Sequence, residues 1–164
     1  YYQLEKFPVE PACLDQVPII IGGGGKVKTP TLAGKYSEEF NIYAGPKESL
    51  QNGIELCYSV AEQEGRDKNS IQITTACPPV VGLTKESVDD SLITAAKALI
   101  QPEDEIAKNW QERSYLYGTP EQVAETLSMW NEVGIDGVYL QLLSLEPEKR
   151  DETVQVIREA INLL

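Results

Sequence analysis

Apolar and polar positions fall in blocks along the chain, and the period changes from block to block. Val17-Pro18-Ile19-Ile20-Ile21 is a β-branched run without alternation, cut off by Gly22-Gly23-Gly24-Gly25. A short apolar run of this kind predicts a strand buried on both faces, as a parallel sheet requires. Thr29-Pro30 supplies a capping residue and a proline at the first helical position, which predicts a helix from about Pro30 to Tyr36. Phe40 to Ala44 reads as a second strand, and Gly45-Pro46 turns the chain into a helix reaching about Glu64. Leu50, Ile54, Cys57 and Ala61 recur at three- and four-residue spacing there, so they share a face. Gly65 is the stop.

Ile71 to Ala76 begins a third strand, which Pro78-Pro79 interrupts before Val80-Val81-Gly82. Thr84 with Ser87 starts the next helix, with Val88, Leu92 and Ala95 on its buried side, and Pro102 opens a shorter one through Trp110. Gly118-Thr119-Pro120-Glu121-Gln122 is the clearest helix start in the chain. Thr119 caps, Pro120 suits the first position, and Gln122 stands where a capping box needs it. That helix carries Val123, Leu127 and Trp130 to a stop at Gly134. Gly137 to Leu143 is a fourth strand, and Pro147 to Leu164 a final amphipathic helix. Residues 1–17, with Pro8 and Pro11 and no period, read as an extended lead-in. Strand followed by helix, four times over residues 18–164, predicts an α/β fold: one domain with a parallel sheet covered by helices.

Four stretches of this pattern resemble one family, in order. Pro18-Ile19-Ile20-Ile21 with its glycine run is followed by Lys35-Tyr36-Ser37-Glu38-Glu39-Phe40-Asn41, where Ser37, Glu38 and Phe40 stand for the family's alanine, aspartate and tryptophan. Gly65-Arg66-Asp67 resembles its GRDP turn, with Lys68 in the proline's place. Gly118 to Ala124 matches its GTPEQVA helix start, and Gly134-Ile135-Asp136-Gly137-Val138 its GVDGV approach to the last strand. The family is the luciferase-like monooxygenase superfamily, especially its deazaflavin-dependent branch. The resemblance implies the C-terminal half of a TIM-type (β/α)8 barrel, since eight units take about 250 residues and this chain offers four.

Composition narrows the function classes. With 26 Asp plus Glu against 14 Lys plus Arg, the 164-residue chain carries a net charge of −12. That opposes a nucleic-acid partner, which needs a basic face, and an anionic membrane surface. No apolar stretch reaches the roughly 20 residues that span a bilayer, and no signal peptide pattern opens the chain, so a cytoplasmic protein is expected. Cys13, Cys57 and Cys77 form no CxxC pair and no zinc constellation, so no metal site is expected. The absence of histidine excludes Ser-His-Asp and Cys-His catalysis built from this chain alone.

The glycine run carries the remaining chemistry. Without Cβ atoms a backbone can approach an anion closely, and the helix that follows presents unpaired N–H groups. The resemblance implies that Gly22, Gly23, Gly24 and Gly25 bind the phosphate-bearing tail of coenzyme F420, with FMN as the alternative. Lys26 and Lys28 add positive charge there. The spacing is neither GxGxxG nor a P-loop. Glu38 and Glu39 are adjacent and point in different directions, so loop packing rather than acid–base work is expected of them. Asn41 is expected to bond backbone. Thr74 and Gln141 are candidates to line a cavity, and Trp110, Tyr115 and Tyr117 to pack beneath the last helices. No residue is assigned a catalytic or substrate-binding role, because the resemblance places hydride chemistry largely in the missing first half.

Two functions follow as expectations. One is part of an oxidoreductase, a fragment or split-enzyme half, that moves a hydride between coenzyme F420 or FMN and a small organic substrate, with the missing N-terminal half as partner. The other is a non-catalytic half-barrel whose open edges and apolar inner face drive it to pair with a second copy of itself.

Overall fold

The computed structural model describes residues 17–143 and 146–164. The predicted lead-in up to residue 16, and Cys13 with it, lies outside the described residues. The elements are β1 (Ile20–Gly23), α1 (Lys28–Tyr36), β2 (Glu39–Ile42), α2 (Lys47–Gln63), β3 (Gln72–Cys77), β4 (Val80–Val81), α3 (Lys85–Leu99), α4 (Glu103–Glu112), β5 (Tyr117–Gly118), α5 (Pro120–Glu132), β6 (Gly137–Leu140) and α6 (Pro147–Asn162). Strands β1, β2, β3 and β6 form one parallel sheet in that order. Strands lying in chain order with helices between them make an arc that winds in one direction, which is how a (β/α) barrel is built.

Helices α1, α2, α5 and α6 pack on one face of the arc. Phe40, Ile42, Ile73 and Cys77 point into that layer and meet Ala33, Leu50, Ile54, Cys57, Ala61, Trp130 and Val156, all buried. Alternation then sends Glu39, Asn41, Gln72, Thr74 and Tyr139 to the opposite, inner face. A second buried cluster holds Val80, Ala95, Ile106 and Trp110 between β4, α3 and α4.

The resemblance motifs turn out to be joints of this scaffold. Arg66 donates to the carbonyls of Gly34 at 2.8 Å and Ser37 at 2.6 Å, tying the end of α1 to the exit of α2. Asp136 accepts from the Ile73 backbone at 2.8 Å and its own N–H returns to the Ile73 carbonyl at 2.7 Å, which sets the β3–β6 register. Gln122 accepts from the Thr119 N–H at 3.0 Å, as the capping box predicts. Gly65 and Gly134 end α2 and α5 at φ +73° and +89°.

Several expectations are corrected. The first strand is not buried on both faces: Val17, Ile19 and Ile20 are 59%, 45% and 58% exposed, because β1 is the edge strand of the sheet among the described residues. Thr29 is not the cap of α1. Val27 occupies that position, Thr31 N–H bonds back to its carbonyl at 3.1 Å, and Pro30 sits within the first turn, where its missing N–H costs nothing. The chain is more than four strand–helix repeats, since β5 pairs with β4 in a separate two-stranded parallel sheet. Trp110 and Tyr115 do pack edge to face at 5.4 Å, with Trp110 donating to the Pro78 carbonyl at 2.7 Å. Trp110 is buried with Val80, Ala95 and Ile106 of β4, α3 and α4, and Tyr115 packs against both buried clusters.

Candidate functional site

At the C-terminal ends of β1 and β2 the chain lines a cavity of about 700 Å³. Gly23, Gly24, Gly25 and Lys26 form one wall and Tyr43 to Pro46 a second. The first half of α2 contributes Ser49 and Asn52, and the end of α4 brings Glu112 and Arg113. Of the six residues expected to hold a cofactor tail, the fold therefore brings together Gly23, Gly24, Gly25 and Lys26. Gly22 lies within β1, opposite Asn41, and Lys28 stands exposed in the first turn of α1; neither lines the cavity.

The loop needs its glycines for stated reasons. Gly23 has φ +148°, which L side chains rarely adopt. A Cβ on Gly24 would come within 2.9 Å of the Tyr43 ring, and one on Gly25 within 2.5 Å of Thr29 Oγ1. The loop thus lies flat against Thr29 and Tyr43. The helices that start beside it lack side-chain caps: neither Val27 before α1 nor Pro46 before α2 makes a side-chain cap bond. First-turn N–H groups left without such bonds, with the positive end of the helix dipole, suit an anion. The charged lining balances, Lys26 and Arg113 against Glu48 and Glu112. Affinity for a phosphate here would rest on backbone donors and Lys26 rather than on a net basic field.

A second group of polar side chains lies on the inner face. Glu39, 8% exposed, accepts from Thr74 Oγ1 at 2.5 Å and from the Tyr139 hydroxyl at 3.2 Å. Asn41 Nδ2 donates to the same Thr74 hydroxyl at 2.8 Å. The hydrogen bond to Glu39 and its charge raise the Tyr139 pKa above the ordinary tyrosine value. Sequence reasoning assigned Glu39 to loop packing and Asn41 to the backbone; both instead join a side-chain network across three strands. The signal that finds them is strand alternation from Phe40 and Ile42, whose burial assigns their neighbours to the inner face. Thr74, a candidate to line a cavity, is instead 2% exposed and held within this network by Glu39 and Asn41. Gln141 is exposed beyond β6, its N–H bonded to the Cys77 carbonyl at 3.0 Å. Glu38 does act in packing, accepting from the Ile19 N–H at 2.6 Å.

No protein-family profile matches the chain, and no curated protein sequence matches it. Solved structures do. An F420-dependent secondary alcohol dehydrogenase in complex with an F420-acetone adduct matches 98% of this chain with 54% of its own, at TM-score 0.71 and 20% identity. Coenzyme F420-dependent tetrahydromethanopterin reductase from Methanopyrus kandleri matches 90% of this chain with 51% of its own, at TM-score 0.64 and 13% identity. EDTA monooxygenase from Chelativorans sp. BNC1 matches 88% with 43%, at 0.62 and 19%. The chain thus spans about half the length of the solved chains it matches. Its fold is half of the TIM-type barrel that those solved structures share, the α/β class expected from the strand–helix order. Among the described residues no helix is long and apolar enough to cross a membrane, and no cluster of His, Cys, Asp and Glu suits a metal ion.

Proposed function

We propose that this chain is the cofactor-tail half of a barrel oxidoreductase that uses coenzyme F420, with FMN as the alternative, to move a hydride to or from a small organic substrate. The observation that carries it is the meeting of the Gly23–Lys26 loop with the start of α2 in one cavity at the C-terminal ends of the strands, the end where such barrels hold their sites. The neighbours named above, which use F420 or oxygenate small molecules, support the cofactor class.

Bound cofactor would supply the hydride chemistry itself; the protein supplies position and electrostatics. Loop backbone and the Lys26 ammonium hold the phosphate of the tail, Arg113 closes the cavity from α4, and Tyr43 offers a ring edge beside the loop. Gly22 and Lys28 have no direct part. The groups that face the reacting atoms belong to the complementary half of the barrel. A cytoplasmic setting suits this reading, and no nucleic acid or membrane enters it.

A fluorescence titration of the chain with coenzyme F420, and in parallel with FMN, tests the proposal. Saturable binding near micromolar, about −8 kcal/mol, is expected for one of them. Gly25→Val should weaken it at least ten-fold, by pushing the loop off Thr29 into the cavity. Absence of saturable binding, or binding indifferent to that variant, would remove the cofactor site from this chain.

A further inference from the structure

Trp110, Tyr115 and Tyr117 line no part of the glycine-loop cavity, yet the fold gathers them. They line a second cavity, of about 350 Å³, between the end of α4, β5 and the flank of α5. The way α4 ends builds its wall. Ser114 takes left-handed backbone at φ +50°, its N–H bonds to the Gln111 carbonyl at 3.1 Å, and the Tyr115 N–H reaches the Trp110 carbonyl at 2.9 Å. That is a Schellman closure, which commonly sets its two end side chains, here Trp110 and Tyr115, in contact. A non-glycine residue in that conformation is uncommon and persists where its surroundings hold it. Leu116 is then fully buried, and alternation returns Tyr117 to the side of Tyr115.

The rings form a corner rather than a slot. Trp110 and Tyr115 meet at 75° with centroids 5.4 Å apart, so the pair offers no parallel faces to sandwich a flat ligand. The Trp110 N–H is already given to the Pro78 carbonyl at 2.7 Å, so the indole brings its π system and no free donor. Aromatic faces carry partial negative charge and attract cations. Arg113, which lines the glycine-loop cavity and not this one, stands 6.0 Å from the Tyr115 centroid, so that ring already faces a cation of this chain. Among the described residues Glu125, from α5, is the only charged group lining the aromatic cavity, and it forms no ion pair. Met129 adds a polarisable thioether beside the rings. An anion would meet a carboxylate and ring faces here. A net charge of −12 also raises the concentration of cations around the chain.

We propose that this cavity binds a small organic cation, a methylated ammonium ion, in the corner of Trp110, Tyr115 and Tyr117 with Glu125 as its counter-ion. A quaternary ammonium has no N–H to satisfy and sheds its water more readily than a metal ion, which suits a site walled by rings. The site is separate from the glycine-loop cavity and stands whether or not a cofactor binds there.

Tryptophan fluorescence of the whole chain tests this, with choline as the probe and its neutral carbon isostere 3,3-dimethyl-1-butanol in parallel, at fixed ionic strength. Trp130 is 2% exposed, and Trp110→Phe assigns the signal to Trp110 while keeping a ring in the corner. Choline is expected to saturate with a Kd of about 1 mM, at least ten-fold tighter than the isostere. Tyr117→Leu should weaken choline binding about ten-fold, and Glu125→Gln about three-fold, with circular dichroism unchanged. Should Tyr117→Leu misfold, Glu125→Gln carries the test, since it alters an exposed side chain. Choline that fails to saturate, choline that binds no better than its isostere, or a Glu125→Gln variant that binds it as wild type does overturns the proposal.

Discussion

The two faces of the four-stranded sheet are made from alternate residues of the same strands, yet they follow different rules. On the helix-packed face, Phe40, Ile42, Ile73 and Cys77 are buried among side chains of four helices, and what they touch is all within this chain. On the inner face, Glu39, Asn41, Thr74 and Tyr139 satisfy one another by hydrogen bonds, with Tyr139 left 51% exposed. One face is packed by apolar contacts, the other held by hydrogen bonds around a buried Glu39 and Thr74. The difference predicts that substitutions one residue apart will have unlike consequences.

The largest expected contrast is in stability. Phe40 is 1% exposed, and truncating it leaves a cavity at the centre of the packed layer. Phe40→Ala should cost about 3–5 kcal/mol, a large part of the total stability of a domain of this size. The neighbouring Asn41→Ala loses only one hydrogen bond to Thr74 on a face water still reaches. It should cost about 1 kcal/mol. Urea unfolding of the two variants measures both, and equal losses would mean that the inner face is as much a core as the outer.

The second contrast is in pH dependence. Burial raises the Cys77 thiol from its ordinary 9.0 to about 11, and burial does the same to Cys57. A folded value above the unfolded one means stability is fully present below 9.0 and is lost as pH climbs toward about 11, because only the unfolded chain ionises readily in that window. One unit above the ordinary value, about 1 kcal/mol of stability should have been lost through Cys77. Cys77→Ala should flatten the stability profile in that window, after allowance for the cavity it leaves. A profile as steep as wild type would show that the thiol is not sealed in the packed layer.

Much of this architecture is legible in sequence because it is set by chemistry within a few residues. The Thr119–Gln122 capping box, the glycine stops at Gly65 and Gly134, and the buried stripe of Leu50, Ile54, Cys57 and Ala61 need no knowledge of distant partners. The features not legible depend on neighbours across the sheet. Strand β5 has two residues and exists only because β4 lies beside it, too short for any period to register. The exposure of Ile20 follows from the open edge, which an apolar run cannot announce. Glu39 looked like one of two loop carboxylates until the register set it beside Thr74. At the candidate site the glycine loop was visible as a motif, whereas the contribution of Arg113 from α4 required the fold. Lys28, two residues beyond Lys26, turned away because the helix had already begun.

The smallest effect probes the inner face directly. Tyr139 titrates above the ordinary tyrosine value because its hydroxyl donates to Glu39 and because losing that proton would set a second negative charge beside the carboxylate. Glu39→Gln removes the charge and weakens the hydrogen bond while keeping the shape. Tyrosinate absorbance followed through an alkaline titration should then show one tyrosine moving down toward its ordinary value, while Tyr58, raised chiefly by burial in the helix layer, stays where it was. The expected sign is fixed: the variant ionises earlier, never later. Burial cannot mimic the result, because Tyr139 lies on an open surface and Glu39→Gln leaves its solvent exposure unchanged. An unmoved Tyr139 would mean the carboxylate and the phenol are not held together, and the hydrogen-bonded network across β2, β3 and β6 would lose its link to β6.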